Sequence, residues 1–168
     1  MSQILIISDT HFLNRKYLNK WISSFHHIDA IIHCGDIYMG YKPGDIQGLY
    51  MCKGNNDYAD LPRIGHFTID GVTFTITHGH LNNYAYNPIS LKGLLDEYPC
   101  DIICFGHSHV PYYYQDDEIT IVNPGSLSLP RNYPRQNTYA IFDTRTREVH
   151  FYNDKTKEEI KVESKKGG

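Results

Sequence analysis

With 168 residues, 40% of them hydrophobic and 13% aromatic, the chain suits one globular domain that buries roughly two-thirds of its unfolded surface. Sixteen lysines and arginines against nineteen aspartates and glutamates leave a formal charge of −3, which argues against general affinity for nucleic acid or anionic membrane. No apolar stretch approaches the ~20 residues of a membrane span, and Ser8-Asp9 interrupts the only candidate leader, so a single cytoplasmic domain over 1–168 is expected.

Residues 3–8 read as a first strand. A helix over 15–25 follows, with Asn14 as N-cap and Tyr17, Leu18, Trp21, Ile22 and Phe25 at helical spacing. Residues 30–33 form the second strand, so the opening is a βαβ unit with parallel pairing. Residues 40–48 read as a loop with Pro43 and Gly44 at its turn, and 49–53 as the third strand. Residues 64–69 and 72–77 flank Asp70-Gly71, a hairpin signal. A second helix is expected over 88–98, offering Ile89, Leu91, Leu94 and Leu95 to the core, then a strand over 102–105. The last third is antiparallel in character: 112–115 with 119–122, then 138–143 with 149–152. Alternation along Tyr112-Tyr113-Tyr114 puts Tyr113 on the opposite face from the other two, so packing is favoured over a base-stacking platform. The charged tail from about 154 is expected to fray. Two mixed sheets packed face to face with helices outside fit this order of elements.

Five of the apolar runs end on metal-ligating residue types. Ile4 to Ile7 lead to Asp9 and His11, Ala30 to Ile32 to Asp36, and Leu49 to Cys52 to Asn55. Phe74 to Ile76 lead to His78 and His80, and Ile102 to Phe105 to His107 and His109. Open α/β sheets place their sites just beyond the carboxyl ends of strands, so five such endings point to a polynuclear metal centre at one sheet edge. Asp9 and His11, like His107 and His109, stand at i and i+2, where extended chain presents both on one face. Asp36 has two oxygens and can bridge two ions. Cys34, Cys52, Cys100 and Cys104 lack C-x-x-C spacing and read as buried reduced thiols. A donor set of imidazole, carboxylate and amide favours Mn²⁺, Fe²⁺, Co²⁺, Ni²⁺ or Zn²⁺ in open coordination.

The ordered set D-x-H, G-D, G-N-N-D, T-H-G-H and G-H-S-H resembles the calcineurin-like metallophosphoesterase superfamily. Asn123-Pro124-Gly125-Ser126 and the small size make it similar to the YfcE-type phosphodiesterase branch. The resemblance spans about residues 4–129. It implies a four-layer α-β-β-α sandwich and two divalent metal ions, with Mn²⁺ the first choice. One ion would be held by Asp9, His11, Asp36 and His109, the other by Asp36 as bridge, Asn55, His78 and His107. A bridging hydroxide would attack a phosphodiester in line. Two divalent ions, two aspartates and that hydroxide leave about +1, enough to attract a phosphate ester to an acidic protein.

Among these residues Asp36, Asn55 and His107 are the catalytic candidates. Asn56 and Arg131 are candidates for substrate contact, Arg131 equally an ordinary surface arginine. His80 either orients a ligand through its ring nitrogen or is simply exposed. His33 lies in the second strand, and His26, His27, His66 and His150 read as structural or solvated. Two departures from the family pattern stand out. Asn56 occupies the position where many members carry a proton-donating histidine, so esters with good leaving groups are favoured. Phe12 stands where glycine commonly follows D-x-H. The expected partner is a small phosphate ester, not a membrane, and homo-oligomerisation is left open. The competing reading is a catalytically silent interaction module on the same scaffold, as in the retromer subunit of this fold.

Overall fold

The computed structural model describes residues 2–11, 13–37, 48–57 and 61–164; Phe12, most of the 40–48 loop and 165–168 lie outside them. The first sheet contains β1 (Gln3–Ile7), β2 (Ala30–His33), β3 (Leu49–Met51), β9 (Thr138–Asp143), β10 (Val149–Asn153) and β11 (Glu159–Ile160), in the order β11-β10-β9-β1-β2-β3. The second contains β4 (Ile64–Ile69), β5 (Val72–Thr77), β6 (Ile102–Cys104), β7 (Tyr112–Gln115) and β8 (Thr120–Asn123), in the order β4-β5-β6-β8-β7. Both sheets are mixed: in the first, parallel β1, β2 and β3 form one end and antiparallel β9, β10 and β11 the other, while in the second the parallel strands β5, β6 and β8 are flanked by antiparallel β4 and β7.

Side-chain alternation sorts the core into three slabs. Ile4 and Ile6 of β1 meet Phe74, Ile76, Ile102 and Cys104 between the sheets. Leu5 and Ile7 face the other way, onto Leu18 and Trp21 of α1 (Arg15–Ser23). Ile103 and Ile121 face Leu91 and Leu94 on the outer side of the second sheet. The result is helix, sheet, sheet, helix, the expected α/β sandwich. Tyr112 and Tyr114 pack on the outer slab and Tyr113 on the inner one, as alternation requires.

Local chemistry explains the element ends. Asn14 Oδ1 accepts the Tyr17 N–H at 2.8 Å and starts α1. Asp70 and Gly71, at φ 49° and 80°, close the β4–β5 hairpin. Two expectations need correction. The segment expected as an α-helix over 88–98 is a 3-10 helix over Pro88–Asp96. Its buried leucines, Leu91 and Leu94, are three apart, which suits three residues per turn, and Gly93 weakens any α alternative. Ile89 is consequently exposed rather than part of the core.

The tail does not fray from 154. Trp21 Nε1–H donates to Asp154, β11 pairs with β10, and Ile160 and Val162 pack against the inner slab. Tyr113 and Ser164 then form a bridge to the edge of the second sheet. Among the described residues no helix is long and apolar enough to cross a membrane.

Register positions the site. Ile7 pairs with His33 and His33 with Met51, so β1, β2 and β3 end together. Ile76 pairs with Cys104 and Cys104 with Val122, so β5, β6 and β8 also end together. The loops that follow converge, with His107 N–H of the second sheet donating to Asp9 of the first.

Candidate metal centre

The Asp9 loop leaves β1 beside the Asp36 turn, and the ladder continues past the strands: Asp9 N–H donates to Gly35 O and Thr10 N–H to Asp36 O, both at 3.1 Å. Asp9, Asp36, His107 and His109 take the left-handed backbone region, at φ 52°, 61°, 70° and 63°. That conformation costs a non-glycine residue about 1 kcal/mol, and such strain clusters where side chains must be aimed at a site. Gly54 and Gly106 permit close approach. A Cβ on Gly54 would lie 2.1 Å from Asp36 Oδ1, and one on Gly106 would lie 2.1 Å from Ser8 Oγ and 2.7 Å from Asp9 Oδ2.

Two donor clusters result. Asp9, His11 and His109 form one, and Asp36, His78 and His107 the other. Asp9 Oδ1 lies 3.2 Å from His109 Nε2 and 3.6 Å from the Nε2 atoms of both His11 and His78. Asp36 Oδ2 lies 3.2 Å from His11 Nε2 and equally from His78 Nε2, so one carboxylate oxygen touches both clusters. His107 Nδ1 is 3.3 Å from His78 Nε2.

Backbone carbonyls set two of the tautomers. His78 Nδ1–H donates to Cys34 O at 2.8 Å and His109 Nδ1–H to Leu129 O at 2.6 Å, leaving each Nε2 lone pair facing inward. Asp9 Oδ2 accepts from Ser8 Oγ–H at 2.6 Å and His107 N–H at 3.0 Å. Its other oxygen, Oδ1, is buried and accepts no hydrogen bond among the described residues. A fully buried carboxylate oxygen surrounded by three imidazole nitrogens is costly alone and is what a bound cation satisfies. The residues therefore fit divalent metal.

The electrostatics agree. Burial works against ionisation of Asp9, but the His109 and His11 imidazoles outweigh it and hold the carboxyl well below the usual range. Burial likewise opposes ionisation of Asp36, and His11 and His78 overcome it. The Asp36 and Asp9 carboxylates beside it raise His11 to about 9. Burial and the neighbouring His78 push His107 down. Two anionic carboxylates thus face a cluster of imidazoles.

Asn55 is exposed and lines the mouth of the site, a cavity of about 270 Å³ also lined by His11, Asp36, His107, His109 and Arg131. Asn56 lines it too. Yet its backbone N–H and its Nδ2 donate to the two oxygens of Asp36, at 2.8 and 3.0 Å. The amide expected to meet substrate is largely committed to positioning Asp36. The His80 ring stands 5.4 Å from that of His78 and 6.2 Å from that of His107, and its buried Nδ1 has no hydrogen-bond partner among the described residues.

Sequence reasoning missed several supports. Asp57 Oδ2 accepts the N–H groups of Asp36 and Gly54, at 2.9 and 2.8 Å, and so clamps two ligand loops together. Its only signal was its place in G-N-N-D. His33, placed by the sequence only as a strand residue, is fully buried: Gly35 N–H donates to its Nδ1 at 3.1 Å, which leaves the proton on Nε2 for Thr10 Oγ1 at 2.9 Å. Ser126, the last residue of the N-P-G-S stretch, and Ser128 both donate to Asp9 O.

Residues 2–147 match the calcineurin-like phosphoesterase superfamily domain. A probable metallophosphoesterase of Mycoplasma genitalium is 33% identical over 163 residues, covering 90% of this chain and 96% of the relative. The Bacillus subtilis probable metallophosphoesterase YsnB is 32% identical, over 89% and 90% of the two chains. The crystal structure of a predicted phosphoesterase from Streptococcus pneumoniae superposes with a TM-score of 0.77 at 27% identity, over 92% and 90%. Escherichia coli YfcE, a phosphoesterase, shares the fold at TM-score 0.66 and 17% identity, over 95% and 97%. The order of the ligand motifs, the sandwich that gathers them and these relatives agree: the chain belongs to the calcineurin-like phosphoesterase superfamily.

Proposed function

We propose that the protein is a metal-dependent phosphoesterase, with phosphodiesters as its main substrates, working through a dinuclear centre. The observation that carries this reading is Asp36 Oδ2 midway between His11 and His78, beside the unsatisfied Asp9 Oδ1. Asp9, His11, Asp36 and His109 would hold one ion; Asp36, Asn55, His78 and His107 would hold the other. This oxygen- and imidazole-rich set suits Mn²⁺ first, with Ni²⁺, Fe²⁺, Co²⁺ and Zn²⁺ as alternatives. When bound, such a pair supplies Lewis acidity toward phosphoryl oxygens and a water acidic enough to attack phosphorus near neutral pH.

The chain's own residues do the rest. His78 and His109 are held in the ligating tautomer by Cys34 O and Leu129 O. Asn56 and Asp57 fix the bridging carboxylate by hydrogen bonds to its side chain and backbone. Arg131 lines the mouth, where it can meet a phosphoryl oxygen. Asn56 offers no titratable proton to a departing alkoxide, so esters with acidic leaving groups should react fastest. The full ligand set supports catalysis over a binding-only use of the scaffold.

Protein stripped with chelator should hydrolyse bis(p-nitrophenyl) phosphate only after Mn²⁺ or a similar ion is restored, and Asp36→Asn should abolish this. Full turnover in chelator, or in Asp36→Asn, would sink the proposal.

A further inference from the structure

We propose that Arg131 and Arg135 form a second anionic subsite, which binds a second phosphate of the substrate beside the scissile one. This rests on the phosphoesterase reading above. A second cavity, of about 240 Å³, adjoins the metal-site cavity and shares Leu129 and Arg131 with it. Ser128, Pro130 and Arg135 complete its lining, and no carboxylate contributes. Both arginines are exposed, and among the described residues neither has an acidic partner. Two uncommitted guanidinium groups four residues apart bracket a space with no negative charge, which is the chemistry that recognises a phosphate.

The subsite is held in place relative to the ligands. Arg131 N–H donates to His109 O at 3.1 Å, and His109 Nδ1–H donates to Leu129 O at 2.6 Å. Ser128 Oγ–H reaches Asp9 O, and Ser126 Oγ accepts the N–H groups of Ser128 and Leu129. The strip from Ser126 to Arg131 is therefore tied to Asp9 and His109. Arg131 faces both cavities, so it can bind between the scissile phosphate and a second one. Another cavity among the described residues is lined by Asp101, Asp116, Asp117 and Glu118 against a single Arg147 and has the wrong sign for a phosphate. The substrate class implied is a phosphodiester that carries another phosphate on the side that does not leave.

The test uses two chromogenic probes that differ in one group: thymidine 5′-(p-nitrophenyl phosphate) and the same ester bearing a 3′-phosphate. With Mn²⁺ present, the second phosphate should raise kcat/KM about tenfold, the size of one hydrogen bond to a charged group. The ratio should fall toward 1 in Arg135→Ala and be partly kept in Arg135→Lys. Calorimetry supplies a readout independent of turnover. Thymidine 3′,5′-bisphosphate should bind about tenfold tighter than thymidine 5′-phosphate, with the preference lost in Arg135→Ala and weakened by salt. Equal turnover of the two probes by the native protein, or an unchanged ratio in Arg135→Ala, overturns the subsite and leaves the phosphoesterase reading standing. Absence of metal-dependent turnover of both probes overturns that reading, and the subsite with it.

Discussion

Gly54→Ala tests how the ligand loops fit together. The added Cβ would lie 2.1 Å from Asp36 Oδ1, 2.3 Å from Asp36 N and 2.8 Å from Asp36 Cγ. Carbon and oxygen in contact need more than 3 Å, so Asp36 or the 52–57 loop must move by about 1 Å. The backbone nitrogen cannot rotate aside. Its movement also strains the hydrogen bonds from Asp36 N–H and Gly54 N–H to Asp57 Oδ2. Overpacking of this kind costs about 1–3 kcal/mol, and a displacement near 1 Å at a reacting group costs about 10²-fold in rate.

Three measurements follow for this variant: thermal unfolding, metal content by elemental analysis, and kcat with an activated diester. Gly93→Ala is the control, because a Cβ there meets nothing within 4 Å; it should be neutral or stabilising by about 0.5–1 kcal/mol. If Gly54→Ala keeps native Tm, metal content and kcat, the close approach of the two loops is not as described.

Asp57→Ala leaves the N–H groups of Asp36 and Gly54 without their acceptor, and should cost about 2–4 kcal/mol in urea unfolding. Native stability in that variant would dismiss the clamp. Truncation after residue 153 removes β11 and the packing of Ile160 and Val162, and should lower stability by about 2 kcal/mol, whereas a frayed tail would be lost without effect.

His33 gives a pH signature. Burial holds its folded pKa down at about 4, below the 6.5 of the unfolded chain. Between those values the unfolded chain takes up a proton that the folded one refuses. Stability should therefore be full above pH 6.5 and fall as pH drops toward 4, by up to about 1.4 kcal/mol per unit. Compared with His33→Gln across that range, the native protein should show the steeper loss; parallel curves would refute the assignment.

The ligand motifs were legible in the sequence because each follows a short apolar run, and a buried strand must end where polar residues begin. Asp9, His11, Asp36, His78, His107 and His109 could be named as donors from that punctuation alone. The hairpin at Asp70-Gly71 and the start of α1 at Asn14 were legible for the same reason, since turn and cap chemistry is local. The failures were non-local. Residues 154–164 look polar enough to fray, but their order comes from pairing with the adjacent β10 and from Trp21 and Tyr113, which are far away in the chain. Leu91 and Leu94 fit both helical periods, so their spacing alone did not separate the 3-10 form from the α form, and in the structure they pack with Ile103 and Ile121.

Composition and run order alone determined an α/β chain of parallel strands and hairpins, with metal-ligating residues at the strand ends. What only the tertiary structure decided is which atoms meet. Register brings β1, β2, β5 and β6 to one edge, and left-handed turns at Asp9, Asp36, His107 and His109 then aim the side chains inward. The supports Asp57, His33 and Ser126 emerge only there, because a hydrogen bond between loops depends on distance in space and leaves no periodic mark in the sequence. The same holds for Arg131 and Arg135, whose significance depends on a cavity beside the ligands.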